Sequence, residues 1–332
     1  MKKNAHLSLV LAAVTAATSL FSAKAAEASK GDTSKASEKA KITAVSLSKM
    51  QEQKLEEIHG KYKKLTEQFQ KEQADLYAAA ETYLKQEEGY IEHPYLDCNG
   101  LIHTGCGINI DNKDVFLSLP FQKTVKKSKT ETETKELTKA EKEDYYKTLS
   151  ALKADQKSRV QKHSADYYKK FAPYTLSEEE HSRLFKEKYD EAYLTLNEVY
   201  GVIGFNDLPK SLKLALIDLL YQRGPGAAKE YKLLLGASQK NNFNEMKKQI
   251  TVKTNGNPGI KKRNEHRQAL VEQAKGENRP YTVSKLAPVE AQYNYLLQET
   301  GRKPVKTVLP TKNPVKIVQN PSTQKLASAR GR

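Results

Sequence analysis

The chain has no tryptophan and only two cysteines among its 332 residues. Without tryptophan, any stacking of a ligand on an aromatic ring must use tyrosine or phenylalanine. Two cysteines allow at most one disulfide bond. After the first 25 residues, no stretch approaches the roughly 20 apolar residues that a membrane-spanning helix needs. The sequence therefore predicts a chain that is not transmembrane, with room for one or two domains.

The first 25 residues are typical of a bacterial export signal. A basic start at Lys2 and Lys3 precedes an apolar run over residues 7–21 and the small-residue pattern Ala-Lys-Ala at 23–25. This order is the one found in cleaved signal peptides. We therefore expect residues 1–25 to be removed and the mature protein to be periplasmic or secreted. An uncleaved anchor is the alternative.

The formal net charge is +16. Such a balance often indicates nucleic-acid binding, but the tyrosines are dispersed and no basic and aromatic motif appears. An exported chain meets anionic cell-wall polymers first. We therefore expect a wall partner and no nucleic acid.

Before the central part of the chain, two segments of different character follow the export signal. Residues 26–41 are rich in Ala, Ser, Lys and Glu and predict a flexible leader. An arm over 42–79 then carries apolar residues at heptad spacing, which predicts a long helix. The positions are Leu55, Ile58, Tyr62, Leu65, Phe69, Leu76, Ala79 and Tyr83. Residues 55–83 therefore favour either self-association or binding of a partner protein, or else a helix folded back on its own domain.

Two later segments are low in apolar residues or rich in proline. Residues 123–135 predict a mobile loop, which a helix follows with a capping box at Thr138 and Glu141. Residues 276–332 carry many Lys, Arg and Pro and predict an extended, weakly ordered basic tail, with a short helix around 291–299.

The most informative stretch is EEGYIEHPYLDCNGLIHTGCG at residues 87–107. Glu88 precedes Gly89, Asp97 follows nine residues after Glu88, and a Gly-x-Gly string ends the stretch. Cleavage of a sugar–sugar bond uses one carboxyl group to protonate the leaving oxygen and a second on the opposite face of the ring. Glu88 and Asp97 fit these two roles.

This stretch resembles the phage-type lysozymes, glycoside hydrolase family 24. The matching positions are Glu88, Gly89, Tyr95, Asp97, Gly100, Gly105 and Gly107. Weaker matches follow in order at residues 176–185, 211–226 and 254–263. One departure stands out, because His103 occupies the position of the family's catalytic Thr. Thr104 comes one residue later and should point to the other face of a strand, unless a bulge brings it back.

The resemblance implies a fold that is mainly α with a small β-hairpin sheet, an α+β lysozyme-like architecture. The long N-terminal helix is an extension of it. The lysozyme-like domain would cover residues 80–275, with an insertion at about 110–174. It also implies an exported muramidase that cleaves the β-1,4 bond between N-acetylmuramic acid and N-acetylglucosamine without a cofactor or metal.

The resemblance also assigns roles to single residues. Glu88 would be the general acid and Asp97 the second carboxylate. His103 could act as a base, act as a nucleophile that favours glycosyl transfer, mark a lapsed enzyme, or be passive. The predicted substrate-binding residues are Thr104, Gly107, Asn109 and Gln222, and Arg263 is expected to pair with Glu87.

Four alternatives stay open at the level of sequence. Asp97 could be a turn residue that bonds only its own backbone. Cys98 and Cys106 could form a disulfide or remain reduced. His93, Cys98, His103 and Cys106 have the atom types of a zinc site, though not the usual spacing. A non-enzymatic protein that binds the wall, or serves there as a scaffold, is the rival to the enzyme.

Overall fold

A computed structural model describes residues 33–97, 99–128, 131–158, 163–171, 174–254 and 256–310. These residues are mainly helical, with two small antiparallel sheets, as the sequence predicts. They form two compact units. One comprises residues 63–290 with 306–310, and the other residues 33–62 with 291–305. The larger unit begins before residue 80 and ends after residue 275, the predicted limits of the lysozyme-like domain.

In chain order, the first sheet follows the long first helix, and one short helix separates it from the second sheet. The helices are α1 (Thr33–Glu88), α2 (Lys113–Ser118), α3 (Lys139–Ser158), α4 (Ala165–Tyr168), α5 (Glu178–Tyr200), α6 (Val202–Asn206), α7 (Lys210–Arg223), α8 (Lys232–Gln239), α9 (Phe243–Gln249), α10 (Pro258–Gln273) and α11 (Thr282–Glu299). The strands are β1 (Ile91–Leu96), β2 (Ile102–Gly105), β3 (Ile108–Asn109), β4 (Gln122–Lys126) and β5 (Thr132–Glu136). A 3₁₀ helix spans Pro225–Glu230.

The core of the larger unit surrounds α7, in which every residue from Ser211 to Tyr221 is buried. Leu76, Ala80 and Leu84, near the end of α1, belong to the same apolar cluster. A helix that is apolar all round has to be enclosed by other elements. The end of α1 is therefore fixed by packing on this core, about one helical turn before Glu88.

The first sheet has the order β1-β2-β3 and is antiparallel throughout. His103 pairs with Tyr95 on one side and with Asn109 on the other. The register shifts within β1, between Ile91 and Tyr95. The irregularity thus falls on β1, and β2 keeps its regular alternation of side chains.

The prediction of a mobile loop over 123–135 is wrong for the described part. β4 and β5 form a regular hairpin there, with Thr124 opposite Thr134. Its strands are largely exposed and therefore contain few apolar residues. This composition is also typical of a loop. The overlooked signal is the alternation of Thr with charged residues, since β-branched residues favour strands. The capping box that starts α3 is confirmed, because Thr138 and Glu141 exchange hydrogen bonds.

The prediction of a weakly ordered tail from 276 is also wrong for residues 282–290, which form α11 together with the short helix predicted around 291–299. Val283 and Leu286 are buried. The carboxylate of Asp207 accepts hydrogen bonds from the backbone N–H groups of Val283 and Ser284, each at 3.2 Å. Asp207 thereby satisfies the free N–H groups at the start of α11. Residues 311–332 lie outside the described residues.

The predicted leader is wrong for residues 33–41, which belong to α1; residues 26–32 and the export signal lie outside the described residues. In the smaller unit, the heptad positions Leu55, Ile58 and Tyr62 are buried. The Tyr293 ring stacks on Tyr62 with centroids 5.2 Å apart. This part of the heptad is thus packed against the same chain, and self-association stays a prediction.

None of the helices in the described ranges is long and apolar enough to cross a membrane.

Candidate active site

Glu88 is the last residue of α1, and Gly89 turns the chain from the helix into β1. The Glu88 side chain is 22% exposed. It faces Gly107, where an added Cβ would lie 3.1 Å from Glu88 Oε2. Gly107 has φ = +68°, a conformation that L side chains adopt at a cost. The turn after β2 therefore passes directly beside the Glu88 carboxyl group because residue 107 has no side chain.

A buried network of charges holds Glu88 in place. Arg263 Nη1 donates to Glu88 Oε1 at 2.5 Å, and Arg263 Nη2 donates to Asp218 Oδ1 at 2.6 Å. Arg267 also donates to Asp218, whose side chain is fully buried. A buried carboxylate between two guanidinium groups is fully compensated, so this network fixes Arg263 and, through it, Glu88.

The prediction that Arg263 pairs with Glu87 is wrong. Glu87 Oε1 lies 2.5 Å from Nδ1 of His266, one residue before Arg267 on α10. Neighbouring helix residues point about 100° apart. Glu87 and Glu88 therefore contact different residues of α10, and it is Glu88 that reaches the arginine.

Asp97 lies in the turn between β1 and β2. Its Oδ1 accepts hydrogen bonds from the backbone N–H groups of Asn99 and Leu101, both at 2.8 Å. These are the bonds of the predicted turn aspartate. The other oxygen, Oδ2, faces Nε2 of His103 at 3.6 Å. Oδ2 also accepts a hydrogen bond from the side-chain amide of Asn99 at 3.2 Å, so both oxygens of Asp97 shape the turn and Oδ2 lies near His103 as well.

His103 points to the same side of the hairpin as Asp97, and its side chain is 16% exposed. Nδ1 lies 3.0 Å from the carbonyl oxygen of Gly107. A carbonyl can only accept, so Nδ1 carries the proton. In the neutral ring, Nε2 then has a free lone pair, and Nε2 has no hydrogen-bond partner among the described residues. Burial lowers the pKa of His103, which favours this neutral form.

Thr104 points to the opposite face, as alternation along a strand predicts. It is completely buried, and its Oγ1 lies 3.1 Å from Nε2 of His181. Its predicted contact with substrate stays a prediction, although its side chain is completely buried in this structure. The bulge that would have brought Thr104 to the site is absent from β2.

The other predicted substrate-binding residues lie near the site but already have internal partners. Asn109 Oδ1 accepts a hydrogen bond from the backbone of Asp111 at 2.9 Å. Gln222 Oε1 accepts one from Arg267, so Gln222 supports the charge network. Contact of Gly107, Asn109 and Gln222 with a substrate stays a prediction.

Sequence reasoning missed two residues of α5. His181 is buried and also binds the hydroxyl of Tyr90 through Nδ1 at 3.0 Å. Lys188 Nζ lies 3.4 Å from the Gly107 carbonyl oxygen. They are seven residues apart, two helical turns, with the buried Phe185 between them. Their spacing of seven residues, which places both on one face of a helix, is the signal that could have placed both against the hairpin.

The cysteine and zinc alternatives rest on residues of the same hairpin. Cys106 is free and buried, and burial raises its pKa to about 11. Cys98 lies outside the described residues. His93 Nε2 is bonded to the carbonyl oxygen of Ala165 at 2.9 Å. No group of three or more His, Cys, Asp or Glu side chains in the part of the chain that the structure describes is arranged to hold a metal ion.

No protein-family model matches this chain, and no curated protein matches it significantly. The similarity to phage-type lysozymes therefore remains an interpretation of the residues themselves.

The arrangement brings one carboxyl group and a His–Asp pair to the same hairpin from different elements. Glu88 comes from the end of α1, Asp97 from the β1–β2 turn and His103 from β2. A carboxyl group can donate a proton, and a neutral imidazole beside a carboxylate can accept one. The site has the groups that acid–base catalysis requires.

Proposed function

We propose that the protein is an exported glycoside hydrolase that cleaves the β-1,4 bond between N-acetylmuramic acid and N-acetylglucosamine in peptidoglycan. The observation that carries the proposal is the position of Glu88. It is fixed by Arg263, is partly exposed, and lies against a turn that also binds His103. A carboxyl group held in one position near His103, a second group that can transfer protons, is what acid-assisted cleavage of a glycosidic bond needs.

In the proposed reaction, Glu88 in its protonated form donates the proton to the glycosidic oxygen, and the bond from that oxygen to the sugar C1 breaks. A water molecule forms the new bond to C1. Its proton passes to Nε2 of His103, and the imidazolium that results is stabilised by the Asp97 carboxylate. Proton return from His103 to Glu88 through solvent completes the cycle. Each proton taken up by one group is thus released by another.

The neutral tautomer of His103 supports this role as a base. Nδ1–H is held by the Gly107 carbonyl, so Nε2 is the nitrogen left to accept a proton. A nucleophilic His103 would use the same lone pair to attack C1, and the two reactions differ in their products. Water attack without a covalent intermediate inverts the anomeric carbon, whereas a covalent intermediate leads to retention.

The test is the Glu88→Gln substitution, which keeps the size of the side chain but removes the acid. General acid catalysis contributes about 10²–10⁴-fold, so release of reducing ends from purified peptidoglycan should fall by at least about 10²-fold. Glu87→Gln is the matched control, since Glu87 is the adjacent carboxylate and contacts His266 instead.

Sedimentation with intact walls separates catalysis from binding in the same experiment. Glu88→Gln should still pellet with the wall. If wild type and Glu88→Gln release equal numbers of reducing ends, or if neither releases any while both pellet, the muramidase proposal fails. The second result would favour a wall-binding protein without activity.

A further inference from the structure

Lys188 lies at the centre of the candidate site although no part of the proposed reaction uses it. Its Nζ and the Nδ1 of His103 both contact one oxygen, the carbonyl of Gly107, at 3.4 Å and 3.0 Å. Two donors that share one acceptor are close neighbours. A positive charge on Lys188 is therefore felt directly by the His103 ring.

Burial is the main cause that lowers the pKa of Lys188. Glu88, Glu191 and Cys106 oppose that effect, while Arg263 adds to it. Nζ also lies 4.4 Å from the centre of the Tyr221 ring, on which a cation is stabilised. A charged ammonium group at this position is therefore held by two carboxylates and an aromatic face.

Burial is the main cause that lowers the pKa of His103. Among the groups that face the ring, Asp97 from the β1–β2 turn and Glu88 from α1 raise that pKa, and Lys188 from α5 lowers it. The Tyr95 ring of β1 also faces the imidazole, with centroids 6.1 Å apart. With Lys188 removed, the two carboxylates would act on the imidazole without opposition from α5. The ring would then be charged over a wider range of pH, and a charged ring has no lone pair.

We propose that Lys188 is a positioning residue of this site, whose ammonium group adds to burial in keeping the His103 imidazole neutral, with the proton on Nδ1 and the lone pair on Nε2. Lys188 also ties α5 to the turn through the Gly107 carbonyl, so the same contact fixes the ring and controls its charge. The use of a neutral His103 in catalysis rests on the proposed function. The effect of Lys188 on the protonation of His103 does not rest on it, because that protonation can be measured without any substrate.

The experiment follows the histidine ring signals of the full chain by NMR as a function of pH. The His103 signal is assigned by its loss in His103→Asn. In Lys188→Met, which keeps an unbranched side chain over Tyr221 but removes the charge, the His103 midpoint should move to higher pH. Lys188→Arg should leave it near the wild-type value.

Lys186→Met is the matched control, because Lys186 lies on the same helix and pairs with Asp190 at 2.7 Å. It should leave the His103 midpoint unchanged. An equal or lower midpoint in Lys188→Met overturns the proposal. So does a wild-type His103 that is already protonated at pH 7, a result that requires no variant to fold.

The pH profile of wall cleavage is a second measurement. Loss of a lysine with a purely structural role would not shift this profile. The acid limb of the Lys188→Met profile should move to higher pH together with the His103 signal. If the NMR midpoint moves and neither wild type nor any variant cleaves peptidoglycan, Lys188 controls His103 and the proposed function is what fails. If cleavage depends on Glu88 but the midpoint is unmoved, the proposal about Lys188 fails alone.

Discussion

His103 and Thr104 are neighbours in β2, yet the two faces of this strand have different properties. On one face, the side chains of His103 and Asp97 are partly exposed, and the Nε2 atom of His103, itself buried, lacks a hydrogen-bond partner in the described structure. On the other face, Thr104 is fully buried and bonded to His181. Buried polar groups are normally paired, and an unpaired one calls for an explanation. The His103 face of β2 therefore carries the group that can transfer a proton, and the Thr104 face anchors the strand to α5.

The largest expected effect is the loss of peptidoglycan cleavage when the His103 face of β2 is changed. His103→Asn keeps a donor for the Gly107 carbonyl and removes the basic nitrogen. Peptidoglycan cleavage should fall by about 10²–10⁴-fold, while the free energy of unfolding should change by less than about 1 kcal/mol. Reducing-end assays and urea unfolding measure the two quantities.

The stereochemistry of the product refines this result. Wild type should give the inverted anomer, detected by NMR of a fresh digest. Retention, or transfer of glycan to an added sugar acceptor, would show that His103 is a nucleophile. Full activity in His103→Asn would show that the imidazole takes no part in catalysis. The two faces of β2 would then differ in burial alone.

The next effect concerns stability on the buried face. Thr104→Val keeps the shape of the side chain but leaves Nε2 of His181 without its partner. An unpaired buried polar group costs about 1–3 kcal/mol, so the free energy of unfolding should fall by that amount, and Thr104→Ser should recover most of it. Cleavage per folded molecule should stay within a fewfold of wild type. A stable but inactive Thr104→Val would contradict the comparison.

Gly107 lies in the turn after β2, and its replacement should lower the free energy of unfolding by less than Thr104→Val does. Alanine at φ = +68° costs about 1–2 kcal/mol, and its Cβ would meet Glu88 Oε2 at 3.1 Å. Gly107→Ala should therefore lose both stability and activity. Gly201→Ala has a similar φ of +75° and open space around the new Cβ, so it should lose stability alone. Equal activity in both variants would show that Glu88 tolerates displacement.

The smallest expected effect is on the pH dependence of stability. Burial is the main cause that lowers the pKa of both His103 and His181. Between those values and the pKa of about 6.5 for an unfolded histidine, the unfolded chain binds more protons, so stability is lost as the pH falls. Urea unfolding at pH 7.5, 6.5 and 5.5 should show this loss, and it should be shallower in His103→Asn. Greater stability at pH 5.5 than at 7.5 would contradict it.

Local patterns in the sequence predicted much of the fold. The heptad from Leu55 predicted a helix, and the capping box at Thr138 and Glu141 predicted the start of α3. Each depends on contacts between residues three or four apart, which the sequence displays directly. Strand alternation likewise separated His103 from Thr104. Where composition replaced periodicity, at 123–135 and 282–290, the prediction was wrong.

The chemical groups of the site and their order along one strand and one turn can be read directly from the sequence. Their partners depend on how distant parts of the chain pack together. Arg263 binds Glu88 and not Glu87, Gln222 supports Arg267, and Lys188 shares the Gly107 carbonyl with His103. These contacts join residues about 45 to 175 positions apart, and their geometry depends on how α5, α7 and α10 pack around the hairpin. Helical periodicity gives the face on which a side chain lies, but the residue it meets there depends on the packing of the whole core.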